Sequence, residues 1–171
     1  SRYYSAAKLL KADIIIRITG DCPLIDFELV DQCVLRFKET GVDYLSNTNP
    51  STFPDGLDVE VFTFAALEIA HKEAKLSIER EHVTPYLINH QQFSRTNISN
   101  SKDLSHFRWT VDEQEDFQVI AKVFDFFSPN IFFSWKEVLE LQLNNPNLFK
   151  DNFQFNRNDG ATMGQGQKLY K

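Results

Sequence analysis

The fold turns on DIIIRITGDCPLID, residues 13–26. Its first half carries four isoleucines and a threonine, the β-branched enrichment of a strand buried on both faces. Such a strand is expected at the centre of a parallel sheet. Gly20 permits a sharp turn and Pro23 cannot continue a ladder, so the strand must end within Gly20-Asp21-Cys22-Pro23. The Asp21 carboxylate is thereby left at the strand's carboxyl end, the edge where open α/β sheets bind ligands. Asp is also common in turns, where it bonds its own backbone, so this segment alone leaves both readings of Asp21 open.

Downstream, FELVDQCVLRFKETG spaces Phe27, Val30, Cys33, Val34 and Phe37 as one face of a helix, with Asp26 as N-cap and Gly41 as stop. Asp26 is therefore read as a cap rather than a catalyst. VDYLSNT supplies a second strand, and the strand-helix-strand order predicts parallel pairing. After a loop rich in Asn, Pro and Ser, LDVEVF alternates Leu57, Val59 and Val61 with Asp58 and Glu60, which predicts a strand with two carboxylates on an exposed face. FAALEIAHKEA returns to helical spacing, with His71 as an exposed helix residue. SIEREHVTPYLINH reads as a helix capped by Ser77 and ended or kinked at Pro85. Residues 107–111, FRWTV, predict another strand, followed by a helix with Phe117, Ile120, Ala121, Phe124 and Phe127 inward. Ser134 caps a last helix that stops at Asn-Asn-Pro. Residues 1–150 are expected to form one domain and the polar residues 151–171 a linker or docking arm.

The chain has 171 residues, enough to bury a core, and 18 Lys+Arg against 24 Asp+Glu give a net charge of −6. That balance disfavours a broad nucleic-acid surface. No apolar run spans a bilayer and no signal peptide opens the chain, so a cytoplasmic protein without a membrane partner is expected. Cys22 and Cys33 have neither metal nor disulfide spacing and are read as reduced thiols. The glycosylation sequon at Asn97 matters only in a secreted protein. The opening SRYYSAAKLLKA, without an initiator Met, reads as the later part of a helix, which is expected of a piece of a longer polypeptide.

Two aspartates share one architectural position, since Asp21 follows IIIRITG and Asp112 follows FRWTV. If those strands are neighbours, both carboxylates enter one crevice. Two hard oxygen ligands suit Mg²⁺, which completes its octahedron with water and phosphate oxygens. Such an ion would orient a triphosphate for substitution at phosphorus. Asp112 has the further reading of N-cap for the acidic helix start EQEDFQVI.

RITGDCPLID, DYLSNT, FPDGLDVEVF, REHVTPY and TVDEQEDF, in this order, resemble the cytidylyltransferase family that includes spore-coat polysaccharide biosynthesis proteins and is related to enzymes activating acylneuraminate and deoxyoctulosonate. The resemblance runs from about Arg2 to Phe149. It implies an α/β three-layer sandwich of the nucleotide-diphospho-sugar transferase type, with a mostly parallel sheet. It also implies transfer of CMP from CTP to a sugar or sugar acid, with release of pyrophosphate. Mg²⁺ held by Asp21 and Asp112 is the implied cofactor, and a homodimer the expected assembly. Asp55, Asp58, Glu60, Arg80, Glu81 and His82 fall in the segments that resemble the sugar side. Arg80 would meet an anionic substrate or pair with Glu60 or Glu79; His82 would accept a proton or make a structural hydrogen bond.

Relatives open with a strand and a Gly-rich basic loop around the CTP phosphates, and the residues before Ser1 would have to supply them; without that loop the chain is not expected to catalyse alone. GATMGQGQKLYK resembles the approach to a class III aminotransferase of the glutamate-1-semialdehyde aminomutase type, which implies a fusion. Two further readings stay open: a non-catalytic scaffold or dimerisation module, and a glycosyltransferase of the same fold.

Overall fold

The computed structural model describes residues 2–82 and 84–157, which fall into two compact units. Each is built from three stretches of chain: within the described residues these are 2–18, 30–50 and 59–99 in the first, and 19–29, 51–58 and 100–157 in the second. No helix among the described residues is long and apolar enough to cross a membrane.

The first unit holds a four-stranded sheet of β1 (Ile14–Arg17), β2 (Tyr44–Ser46), β3 (Glu60–Thr63) and β4 (Arg95–Asn97) in the order β1-β3-β2-β4. β3 pairs antiparallel with both β1 and β2, and only β2 and β4 pair in parallel. The fold is α/β, but the sheet is mixed and mostly antiparallel, which corrects the expected parallel sheet. β1 and β2 do run in the same direction, as their connection through a helix requires; β3, later in sequence, inserts between them. β1 is an edge strand of this sheet rather than its centre, with Ile16 44% and Ile18 38% exposed. Isoleucine density reports strand propensity and says nothing of position in a sheet.

β3 departs from the expected alternation. Val59 and Val61 are buried, but so are Glu60 and Phe62, because β3 is covered on both faces. Thr63 then caps α3 (Phe64–Glu73), accepting from Ala66 N–H at 3.0 Å. The unit's core gathers Tyr44, Phe62, Ala66, Leu67, Tyr86, Leu87 and Phe93, with Ala7 from α1 (Arg2–Leu10). Fully burying one such large apolar side chain contributes about 2 kcal/mol. His71 of α3 is half-buried, its ring stacked on Tyr4 at 4.1 Å. The helical run through Pro85 is broken into α4 (Ser77–His82) and α5 (Thr84–Asn89), with Pro85 in the first turn of α5.

In the second unit Asp26 caps the start of α2 (Phe27–Thr40), a helix whose residues from Val30 onward belong to the first unit, with Oδ1 accepting from Leu29 N–H at 2.9 Å as expected of a cap. Its Oδ2 accepts from Trp135 N–H at 2.9 Å, so one carboxylate serves two helices. α2 stops at Gly41, whose φ is 62°. Residues 107–111 are extended, but the predicted strand reduces to one parallel bridge, Asp55 to Arg108. α6 (Gln114–Phe127) buries Val119, Ile120 and Val123, whereas Phe117, expected inward, is exposed. Phe124 and Phe127 pack against Phe133 instead. α7 (Trp135–Asn144) starts at a reciprocal Ser134–Glu137 capping box and gives way to a 3₁₀ helix, Pro146–Asn152. The expected linker from 151 is structured at its start, since Asn152 is buried and Arg157 pairs with Asp58. The aminotransferase-like segment lies outside the described residues.

Candidate active site

The second unit gathers the acidic residues that the sequence scattered. Asp55 N–H donates to Phe107 O at 2.9 Å and Trp109 N–H to Asp55 O at 2.7 Å, which zips the Phe53–Asp58 loop to the extended segment 107–111. Val111 N–H donates to Asp21 O at 2.8 Å, and Thr110 Oγ1 to the same oxygen at 3.2 Å. The Gly20-Asp21 turn is thus fastened one residue away from Asp112. The expected pair of neighbouring strands is absent among the described residues; what joins the two segments is the backbone contact of Val111 with Asp21.

Asp112 is not the helix cap. That place belongs to Glu113, and the buried Asp116 carboxylate accepts from both Asp112 N–H (3.1 Å) and Glu113 N–H (3.0 Å). Asp112 is an exposed residue whose Oδ2 accepts from Arg108 Nη2 at 3.1 Å. Partial burial pushes its carboxyl above the ordinary value, Arg108 pulls it back, and the charge of Asp21 pushes it up again. Among the described residues no group of three or more His, Cys, Asp or Glu is arranged to hold a metal ion. Two carboxylates fit Mg²⁺, the cation that leaves its other positions to water and phosphate oxygens.

At the centre stands Arg108, which the sequence reading missed. Its Nε and Nη2 form a fork on Asp116 at 2.8 and 2.7 Å, and its Nη1 donates to Asn156 O at 3.0 Å. Burial would raise the Asp116 carboxyl, but hydrogen bonds from Arg108, Asn152 and two backbone N–H groups hold it below the ordinary range. The available signal was a lone arginine inside apolar FRWTV, four and eight residues before two aspartates. Asp55 lies 3.6 Å from Arg108 Nη1 and 3.7 Å from Arg157 Nη1, and Arg157 Nη2 pairs with Asp58. Asp55 is only 7% exposed, and its buried Oδ2 has no hydrogen bond. Burial pushes this carboxyl up to about 6, with Arg157 and Arg108 opposing and Asp58 adding to the rise.

The remaining candidates belong to the first unit. Glu60, expected on an exposed face, is buried, with Oε2 paired to Arg17 and Oε1 accepting from Tyr44 Oη. Arg80 is exposed and donates to Ala74 O at 3.3 Å; the expected pairing with Glu60 or Glu79 is not the one formed, because Glu60 takes Arg17 and Glu79 takes His90 at 3.4 Å. His82 is exposed at the end of α4. The Glu81 side chain lies outside the described residues. Cys22 and Cys33 are free, buried thiols, each pushed up to about 12 by burial.

Residues 1–152 match a family described as Cytidylyltransferase. The chain is 37% identical over 153 residues to an uncharacterized protein of Methanocaldococcus jannaschii, covering 86% of this chain and 60% of that protein. It is 29% identical over 149 residues to the spore coat polysaccharide biosynthesis protein SpsF of Bacillus subtilis, covering 85% and 61%. Among solved structures, it is similar to a cytidylyltransferase from Leptospira borgpetersenii serovar Hardjo-bovis, with a TM-score of 0.82 and 33% identity over 99% of this chain and 66% of that one.

Proposed function

The chain belongs to the cytidylyltransferase family, and from that premise we propose that it acts in transferring CMP from CTP to a hydroxyl of a sugar or sugar acid, in surface-polysaccharide biosynthesis. The sugar oxygen forms a bond to the α-phosphorus, the α–β anhydride bond breaks, pyrophosphate leaves and the hydroxyl proton is lost. The observation that carries this reading is the fastening of Asp21 beside Asp112 through Val111 N–H. Mg²⁺ is the implied cofactor, with these two carboxylates as its protein ligands; when bound it would neutralise and orient the triphosphate. The chain spans about 60% of the length of the relatives it matches, so the activity is proposed for the whole protein.

The chain's own part in this reading is positional. Asp116 fixes the backbone at Asp112, and Arg108 fixes its carboxylate. The sugar-acceptor role that the resemblance implies is proposed for each residue by itself: Asp55 and Asp58 in the second unit, and Glu60, Arg80, Glu81 and His82 in the first. Asp58, Arg80 and His82 keep surface for it, whereas Asp55 and Glu60 are buried.

Pyrophosphate release by the natural full-length protein, from CTP and Mg²⁺ with a panel of sugars and sugar acids, tests the reading. Asp21→Asn and Asp112→Asn should each lower turnover at least about a hundredfold with unchanged circular dichroism, the usual scale for losing one preorganised electrostatic contact. Undiminished turnover in both variants would remove them as ligands. No release with any acceptor, together with transfer from a preformed nucleotide-sugar, would favour the glycosyltransferase reading instead.

A further inference from the structure

Resting on the reading of Asp21 and Asp112 as cation ligands, we infer that Arg108 is the positioning residue of that pair and that the segment from Asn152 to Arg157 holds Arg108 in place. A cation beside two candidate ligands invites the idea of a substrate-phosphate contact, but the geometry excludes it. Arg108 is 6% exposed, and its donors are spent on Asp116, Asp112 and Asn156 O, with Asp55 alongside. Its fork locks onto Asp116, the same carboxylate that accepts from Asp112 N–H, so one rigid unit sets both the backbone and the side chain of Asp112.

The segment 152–157 adds further contacts to this unit. Asn152 Nδ2 donates to Asp116 Oδ1 at 2.9 Å and to Arg108 O at 3.3 Å, and the Phe155 ring lies 5.6 Å from the guanidinium carbon. Arg157 ties the same stretch to Asp55 and Asp58. Four aspartates (Asp55, Asp58, Asp112 and Asp116) thus face two arginines, which leaves the cluster anionic and lets it hold Arg108 without losing its attraction for a divalent cation.

Charge and position predict opposite signs. A guanidinium 3.1 Å from a ligand oxygen repels a metal ion, so its charge alone would make its removal tighten binding. Positioning makes removal loosen it. Mn²⁺ binding to the full-length protein, read from the free-ion electron paramagnetic resonance signal, separates the two. Asp112→Asn, the reference, should weaken binding at least about tenfold. Arg108→Lys keeps the charge but not the fork and should weaken it about tenfold; Arg108→Gln should also weaken it despite losing the charge. Asn152→Ala, which buries no unpaired charge and decides the matter if the Arg108 variants do not fold, should weaken it about threefold with a cooperative melt retained.

Unchanged or tighter binding in the folded Arg108 variants and in Asn152→Ala, with Asp112→Asn weakened, would overturn the positioning role and leave the ligands standing. Binding by Asp112→Asn equal to the parent would overturn the ligand reading and this inference with it.

Discussion

Gly56 and Trp109 approach so closely that a Cβ at position 56 would stand 2.6 Å from the Trp109 carbonyl carbon and 2.7 Å from Thr110 N. Gly56 also has a φ of +101°, a backbone conformation strained for any L side chain. It follows Asp55, whose backbone bonds to Phe107 and Trp109 hold the loop on the extended segment. Gly56→Ala should therefore cost on the order of 3 kcal/mol or more. Urea denaturation checks this, and a loss under 1 kcal/mol would mean the two backbones separate easily.

Asp55 sets a pH dependence. Its carboxyl stands at about 6 in the fold against an ordinary 3.8, so the native state binds that proton more tightly than the unfolded chain does. Its contribution to stability is complete below the ordinary value and is lost as pH rises through about 6. The loss should be on the order of 3 kcal/mol. Asp55→Asn should flatten the stability profile between about pH 4 and 6, the window between the two values, relative to the parent; parallel profiles would contradict this.

The Arg17–Glu60–Tyr44 chain is a buried ion pair with a hydroxyl attached. Removing one partner leaves the other charge uncompensated, so Arg17→Met should destabilise by about 3 kcal/mol. In the Arg17→Met, Glu60→Gln double variant more than half of that should return, since the stranded charge is gone. Equal losses in single and double variants would show that packing of the arginine stem, not charge, is what matters.

The Asp26 carboxylate bonds two helix starts, at Leu29 and Trp135. Asp26→Ala should cost about 2 kcal/mol, more than an ordinary cap, and Asp26→Asn less, because its side-chain oxygen still accepts one of the two bonds. A melting series of the three proteins distinguishes the cases.

Local signals carried much of this structure. Asp26, Ser134 and Gly41 mark helix boundaries because capping chemistry acts within a few residues. That the turn at Asp21 meets the segment before Asp112 was legible because each follows an extended run, though the contact is made by backbone and not by paired strands. What the sequence could not yield depends on contacts distant along the chain. The direction of β3 is set by its pairing with β1, more than forty residues earlier in register with Arg17↔Glu60. Glu60 looked like a surface residue because its partner, Arg17, lay in another strand. Arg108 escaped notice because its meaning comes from Asp55, Asp116 and Asn156 together, and no one of these is a motif.

The discontinuous division of the chain bears on the order of synthesis. The polypeptide passes between the two units after Ile18, Leu29, Pro50, Asp58 and Ser99. On the ribosome, the sheet of the first unit is complete once β4 has emerged, whereas Asp55 and Asp58 must wait for Arg108 and then Arg157. Until those arginines leave the exit tunnel, Asp55 and Asp58 lack the ion-pair partners they have in the fold. Nascent chains stalled before residue 108 should therefore carry these two loop carboxylates unpaired.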